Sequence, residues 1–295
     1  MSAFKSILVP IPDAVTGSAP LDAALHLASR YSSHVTALHV RIDPTTAVPL
    51  VGEGMSGAMV EEMIGVAESQ SALRAKDAKI AFDTACGKHG APILAAPPAS
   101  GLSAEWVDLV GREEDVVTWR GRLSDLLVFG HPGGNAEAAS MMVLNTALMA
   151  SGKPLLLCPA LAPQTFNTKT FGTKIAIAWN GSAEAARAVG WAMPLLRDAS
   201  TVTILSASEH MDQQVDAPAG ELAAYLAWQG VSATISTVQT PPSHAGEELL
   251  RQAGKSEADL LVMGAYTHSR LRQLILGGVT RHVIGHAPIH VLMCH

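Results

Sequence analysis

The feature that most restricts the fold of this 295-residue chain is that it repeats itself. Ser6-Ile-Leu-Val-Pro-Ile-Pro12 near the start has a counterpart in Lys174-Ile-Ala-Ile-Ala-Trp-Asn180. Each run leads into a segment with helical spacing of apolar residues: Leu21, Leu25, Ala28 and Tyr31 in the first, Ala185, Val189, Ala192 and Leu196 in the second. Second strands follow at Val35–Val40 and Val202–Ser206. Asp125-Leu-Leu-Val-Phe-Gly130 then matches Asp259-Leu-Leu-Val-Met-Gly264, and both halves close on a Pro-led apolar strand, Pro154–Cys158 and Pro288–Cys294. A unit that occurs twice in a chain of this length is a domain, and two domains of ordinary size account for the whole.

Short apolar runs alternating with helical segments call for βαβ units and a parallel sheet with helices on both faces. The element order expected in each half is β-α-β-α-β-α-β-α-β. In the second half the reading places helices near Ala217–Trp228, His244–Ala253 and Thr280–Gly285, with strands at Ala233–Gln239, Leu260–Gly264 and Ile289–Cys294. The fold class is thus α/β, with two tandem open parallel-sheet domains over 1–160 and 174–295 and a linker at 161–173. The offset from Pro12 to Asn180 is 168 residues and that from Asp125 to Asp259 is 134, so the first half holds 34 more between these points. The Pro- and Gly-rich stretch Asp43–Gly57 and the region Gly111–Arg122 are the expected places for that excess.

Composition fits this architecture and removes several function classes. Aromatic residues are 4% of the chain and hydrophobic residues 48%, so the core has to be built from aliphatic side chains, as suits sheets covered on both faces. The net charge of −6 speaks against a nucleic-acid partner. No apolar run approaches the ~20 residues of a membrane span, and the amino terminus lacks a secretory pattern. Cys86, Cys158 and Cys294 are odd in number and far apart, with no CxxC pair, which points to a reducing compartment and to thiols used as small core residues. A cytoplasmic protein is expected.

Open parallel sheets bind ligands beyond the carboxyl ends of the strands, where the strand order reverses, so the loops after the first and fourth strands carry the chemistry. The fourth-strand exit of the second half runs Gly264-Ala-Tyr-Thr267-His268-Ser-Arg270-Leu-Arg272-Gln-Leu-Ile-Leu-Gly277-Gly278-Val279-Thr280. A Gly-Gly pair opening a helix presents free N–H groups and the positive end of the helix dipole, and Arg270, Arg272 and Arg281 add charge, which together describe a phosphate cradle. His282 and His286, four apart, share a helix face but lack the acidic partner and third ligand of a zinc enzyme. The chain has no GxSxG elbow and no GxxxxGK[ST] loop.

The spacing Gly264-x2-Thr267-x9-Gly277-Gly278 resembles the nucleotide pattern of the universal stress protein family, Gly-x2-Gly-x9-Gly followed by Ser or Thr, with Thr267 in place of a glycine and Gly278 in place of the hydroxyl residue. The resemblance extends to strand and helix order over nearly the whole chain, in the tandem form of that family. It implies a Rossmann-like strand order 3-2-1-4-5 in each half and an internal pseudo-dimer in which Leu155–Cys158 pairs with Val291–Cys294. It further implies a site in which Ala178 and Ala207 face an adenine, Asn180 stands where ATP-binding members carry an Asp, and the N–H groups of Gly277, Gly278, Val279 and Thr280 meet phosphates, with His268 close by. The ligand so implied is ATP, ADP or AMP, with Mg²⁺ only where ATP is bound, and the function a stress-associated regulator with little or no catalysis. A scaffold of the same fold that binds proteins instead of nucleotide is the alternative. The first half, whose corresponding loop Gly130-His-Pro-Gly-Gly-Asn135 lacks the second glycine cluster, is expected to bind none, although Asp13 lies at the end of its first strand. The chain is expected to be a monomer or a homodimer.

Overall fold

A computed structural model describes residues 4–41, 57–95, 101–132, 138–159, 171–207, 218–238, 244–266 and 278–295. The chain divides into two compact units. The first comprises residues 4–129 and 138–151, and the second residues 130–132 and 152–295.

In the first unit, β1 (Ser6–Pro10), α1 (Ala14–Tyr31), β2 (His34–Arg41), α2 (Gly57–His89), β3 (Ser103–Val110), α3 (Glu113–Gly121), β4 (Leu126–Phe129) and α4 (Ala138–Ala150) follow one another. The strands lie in the order β3-β2-β1-β4, all parallel. The centre of this sheet is apolar on both faces: Ile7, Leu8, Val9, Leu126, Leu127 and Val128 are all buried. Such strands need cover on both sides, which α1 supplies on one face through Leu21, Ala24, Leu25 and Ala28.

The second unit contains β5 (Leu155–Leu157), β6 (Lys174–Trp179), α5 (Ala183–Asp198), β7 (Thr201–Ala207), α6 (Ala219–Trp228), β8 (Thr234–Val238), α7 (Ala245–Lys255), β9 (Leu260–Gly264), α8 (Gly278–His286) and β10 (His290–Cys294). Its order is β5-β10-β9-β6-β7-β8, parallel from β10 to β8, so the last five strands of the chain realise the 3-2-1-4-5 order. β5 pairs antiparallel with β10, Leu157 opposite Val291 and Leu155 opposite Met293. This is the pairing of the closing strands that the resemblance implies. All three cysteines are buried, and burial pushes the Cys86 thiol up to about 11 and that of Cys294 to about 12.

The repeated Asp-Leu-Leu-Val has a structural reason. Asp259 accepts from the amides of Gly172 (2.8 Å), Thr173 (3.0 Å) and Lys174 (3.2 Å) at the start of β6, while its own N–H donates to the Lys174 carbonyl (2.8 Å). Asp125 does the same for β1, taking the amides of Lys5 (2.7 Å) and Ser6 (3.0 Å) and donating its N–H to Ser6 (2.8 Å). Burial pushes the Asp259 carboxyl above its ordinary range, and the amides of Lys174, Thr173 and Gly172 pull it back.

The surplus of the first half lies elsewhere than expected. Helix α2 has 33 residues where its counterpart α6 has 10, so most of the excess is helical. Gly111–Arg122 holds the short helix α3, comparable in length to α7, and is no insertion. The stretch Asp43–Ser56 lies outside the described residues.

Asp259→Ala leaves amides at the head of β6 without their acceptor and should lower the stability of the folded chain by about 2 kcal/mol. Asp259→Asn, which keeps one acceptor oxygen, should lose less. Urea unfolding of the two variants checks the order.

Candidate nucleotide site in the second unit

In the second unit β6 lies between β7 and β9, and the chain leaves it for α5 on its way to β7 while returning through β9 from the other side. That is the switch point, and the carboxyl ends of β6, β7 and β9 meet there. Ala178 pairs with Leu205 of β7 and Met263 of β9, and Ala207 ends β7 beside Val238. Asn180 follows β6 and is exposed. The structure therefore brings Ala178, Asn180, Ala207 and Gly264 to one edge, as expected. Thr267, His268 and Gly277 lie outside the described residues.

The polar groups at this edge are organised by backbone needs. Asn180 accepts from the Ser182 amide through Oδ1 (3.2 Å), an Asx-type turn through Gly181, whose φ of 73° suits glycine. Ser182 in turn caps α5, its hydroxyl accepting from Ala185 N–H (3.1 Å). Gly264 is a glycine because of this helix: a Cβ there would stand 2.6 Å from the Ala185 nitrogen and 2.8 Å from the Glu184 carbonyl carbon. The glycine expected to admit a ligand thus admits the first turn of α5.

The exit from β9 is tied down at three points. Ala265 donates its N–H to the Cys294 carbonyl (2.8 Å), and its own carbonyl contacts His295 Nδ1 (3.1 Å). Tyr266 adopts a left-handed φ of 57°, and its amide donates to the Thr280 hydroxyl (3.2 Å). Burial pushes the Tyr266 phenol up to about 12. Thr280 is itself buried, so its side chain clasps the loop to α8 instead of facing a ligand. Gly278, by contrast, opens α8 with no described neighbour in the way: a Cβ added there meets no atom of the described residues within 4 Å. Val279 is partly exposed in the same turn. Glu184, the acidic side chain beside Gly264, pairs with Arg187 (2.8 Å), whose Nε also donates to the His295 carbonyl (3.0 Å).

His282 and His286 stack with ring centroids 4.4 Å apart, and His286 Nδ1 bonds the His282 carbonyl (2.9 Å). Burial and then the neighbouring His286 hold the His282 ring below the ordinary histidine range. No group of three metal-ligating side chains occurs among the described residues.

The same edge of the first unit is electrostatically different. Asp13 caps α1, accepting from the amides of Val15 and Thr16 (2.8 Å each) and from the Thr16 hydroxyl (2.8 Å). Glu113, at the start of α3, is pushed up to about 6 by burial and by the charges of Glu114 and Asp13. The charges of Glu114 and Asp13 thus both act on the Glu113 carboxyl. Ser182, Tyr266, Thr280 as a clasp, and Glu113 were not singled out from sequence. Ser182 could have been found as a serine two residues before Glu184 at a helix start, whereas a left-handed tyrosine has no sequence signal.

Residues 173–295 match the model of the Universal stress protein family. A curated relative, Universal stress protein Slr1230 of Synechocystis sp. (strain ATCC 27184 / PCC 6803 / Kazusa), is 24% identical over 283 residues, covering 91% of this chain and 92% of that protein. Among solved structures, a universal stress protein from Archaeoglobus fulgidus DSM 4304 aligns with a TM-score of 0.64 at 16% identity, over 98% of this chain and 95% of that one. A functionally unknown protein from Pseudomonas aeruginosa PAO1 aligns with a TM-score of 0.55 at 16% identity, over 99% and 93%. At these identities the two structures speak for the fold.

Gly264→Ala should cost about 1–3 kcal/mol, because backbone of α5 must move to admit one methyl group; thermal unfolding tests it. For Glu113 the folded state holds the proton more tightly than the unfolded one, so its contribution is whole below pH ~4.5 and is lost as pH rises through about 6. Glu113→Gln should then stabilise by about 1–2 kcal/mol at pH 8, after the favourable charge at the helix start is given up, and by nothing at pH 4. Equal effects at both pH values would contradict this.

Proposed function

We propose that this chain, whose residues 173–295 match the model of the Universal stress protein family, is a stress-associated regulatory protein whose C-terminal unit binds an adenine nucleotide at the β6–β9 switch point. The observation that carries this reading is the start of α8 at Gly278, where no atom of the described residues lies within 4 Å of an added Cβ, so that among them none stands in the way of a phosphate approaching the first turn. The base end fits as well. Ala178 and Ala207 place small residues at adjacent strand ends, and Asn180, with Oδ1 held by Ser182, keeps its NH₂ group as a donor. Thr267, His268 and Gly277 complete the proposed set on the strength of the sequence spacing alone.

The charge balance favours the second unit over the first. An anionic ligand entering the first unit would meet Asp13 and Glu113, Glu114 being paired with Arg112 (2.6 Å), whereas in the second Glu184 is paired with Arg187 (2.8 Å). Little or no catalysis is proposed, since Glu184 is engaged in that pair. ATP, ADP or AMP is the proposed ligand, with Mg²⁺ accompanying ATP only. The scaffold reading is favoured by a different observation: Gly264 and the Asn180 carbonyl oxygen are both accounted for by packing and turn formation.

Calorimetric titration of the full chain with AMP, ADP and ATP separates the two. Binding of at least one, weakened about tenfold or more by Gly278→Glu through repulsion of phosphate, supports the nucleotide reading. Gly278→Glu should leave the melting temperature unchanged or slightly raised, because an acidic residue suits a helix start and the site is open. If all three nucleotides fail to bind at millimolar concentration, the scaffold reading takes its place.

A further inference from the structure

Helix α2 is longer than the fold requires. Its fully buried side chains are Ala78, Phe82, Ala85 and Cys86, all in its last turns, and none between 59 and 77 reaches that class. Along that earlier part Val60, Ile64, Ala67, Ser71 and Ala75 are half-buried and mark the side turned to the unit. A second apolar series runs along a different side and is exposed: Met59, Val66, Leu73 and Ile80, with Met63 between the first two. Leu73 is 61% exposed and Val66 52%; single exposed aliphatic residues are ordinary, and it is their recurrence in one row that calls for a partner.

Spacing identifies what the stripe is built for. Met59, Val66, Leu73 and Ile80 recur every seven residues, and Met63, Gln70 and Asp77 stand four after the first three of them. These are the two seam positions of a heptad repeat, which faces a partner helix and not a flat surface. Residues 62, 69, 76 and 83 flank one side of the seam and 60, 67, 74 and 81 the other. A parallel partner would set Asp77 against its own copy at a seam position and would offer Glu62 only Ala67. An antiparallel partner sets Met63 against Leu73, Val66 against Gln70, and Glu62 against Lys76, each twice over by symmetry. The antiparallel direction therefore keeps the two Asp77 side chains apart, each beside Met59, and brings Glu62 to Lys76, neither of which the parallel direction does.

We propose that a second copy of this chain docks along this face, the two α2 helices forming an antiparallel pair centred near Glu68, with Glu62–Lys76 ion pairs on its flank. The contact is isologous and closes on a dimer. Three heptads give an interface at the low end of the specific class, about 1,200 Å² or less, so dissociation in the micromolar range is expected.

Sedimentation velocity of the full chain from ~1 to ~200 μM should show a shift from monomer to dimer across that range. Leu73→Glu should weaken the dimer at least about tenfold, since the lost burial enters twice, with far-UV circular dichroism and melting temperature unchanged because the residue is exposed. Glu62→Lys or Lys76→Glu alone should weaken it about three- to tenfold, and the two together in one chain should restore it. Mixing Glu62→Cys chains with Lys76→Cys chains should yield a disulfide-linked pair on mild oxidation, because a parallel pairing holds these positions about 21 Å apart along the axis. A chain that stays monomeric throughout, a Leu73→Glu dimer as tight as wild type, or cross-linking absent from the mixture overturns the proposal.

Discussion

Two parallel strands that are buried on both faces cannot fix their own register, and everything at the carboxyl edge depends on that register. In β6 and β9 the paired residues are Ile175 with Leu260, Ala176 with Leu261 and Ile177 with Val262. A slide along such aliphatic runs would leave the hydrophobic pattern almost as well satisfied. No hairpin connects them, so no turn sets the alignment. Asp259 does: its main-chain N–H takes the Lys174 carbonyl while its carboxylate gathers the amides before β6. Any slip would bury those groups unpaired. Asp125 holds β1 and β4 in the same way, so both units start from one device repeated.

With the amino ends pinned, the carboxyl ends are placed. Gly264 arrives beside Ala185, and the first turn of α5 settles against bare backbone. Ser182 and Asn180 then satisfy the amides of that turn, and Thr280 brings the start of α8 to the exit of β9. The candidate site is what remains open once these demands are met, which is why it narrows to the exposed start of α8 and the donor side of Asn180.

The repeat, the strand order and the edge where Ala178, Asn180, Ala207 and Gly264 meet were legible in sequence because each follows from short-range patterns: apolar runs, helical spacing and glycines at run ends. The role of Gly264 was not, since the atoms that exclude a Cβ belong to a helix some eighty residues earlier in the chain. Thr280 was expected, on the family resemblance, to offer its main-chain N–H to a phosphate, and the separate task of its hydroxyl, accepting from the Tyr266 amide, is visible only in the fold. The length of helix α2 was missed for a different reason. It carries one apolar series toward its own unit and another away from it, and two stripes on different sides of a helix cancel the contrast by which amphipathic helices are recognised. The surplus was sought in a Pro- and Gly-rich stretch, where insertions are usual, and most of it lies in regular structure.

The two units thus depart from their common plan at opposite places. The second keeps a short helix α6 of 10 residues and an edge whose acidic side chain is neutralised. The first has a helix of 33 residues with a solvent-exposed apolar seam and an edge where burial, and then the charges of Glu114 and Asp13, make Glu113 hold its proton more tightly. Crowded negative charge at a switch point works against the anions such points otherwise collect, and a solvent-facing heptad seam favours association with whatever covers it. The two features occur together in the same half. Retaining them is consistent with a first unit whose useful surface has moved from the edge of its sheet to the side of its longest helix.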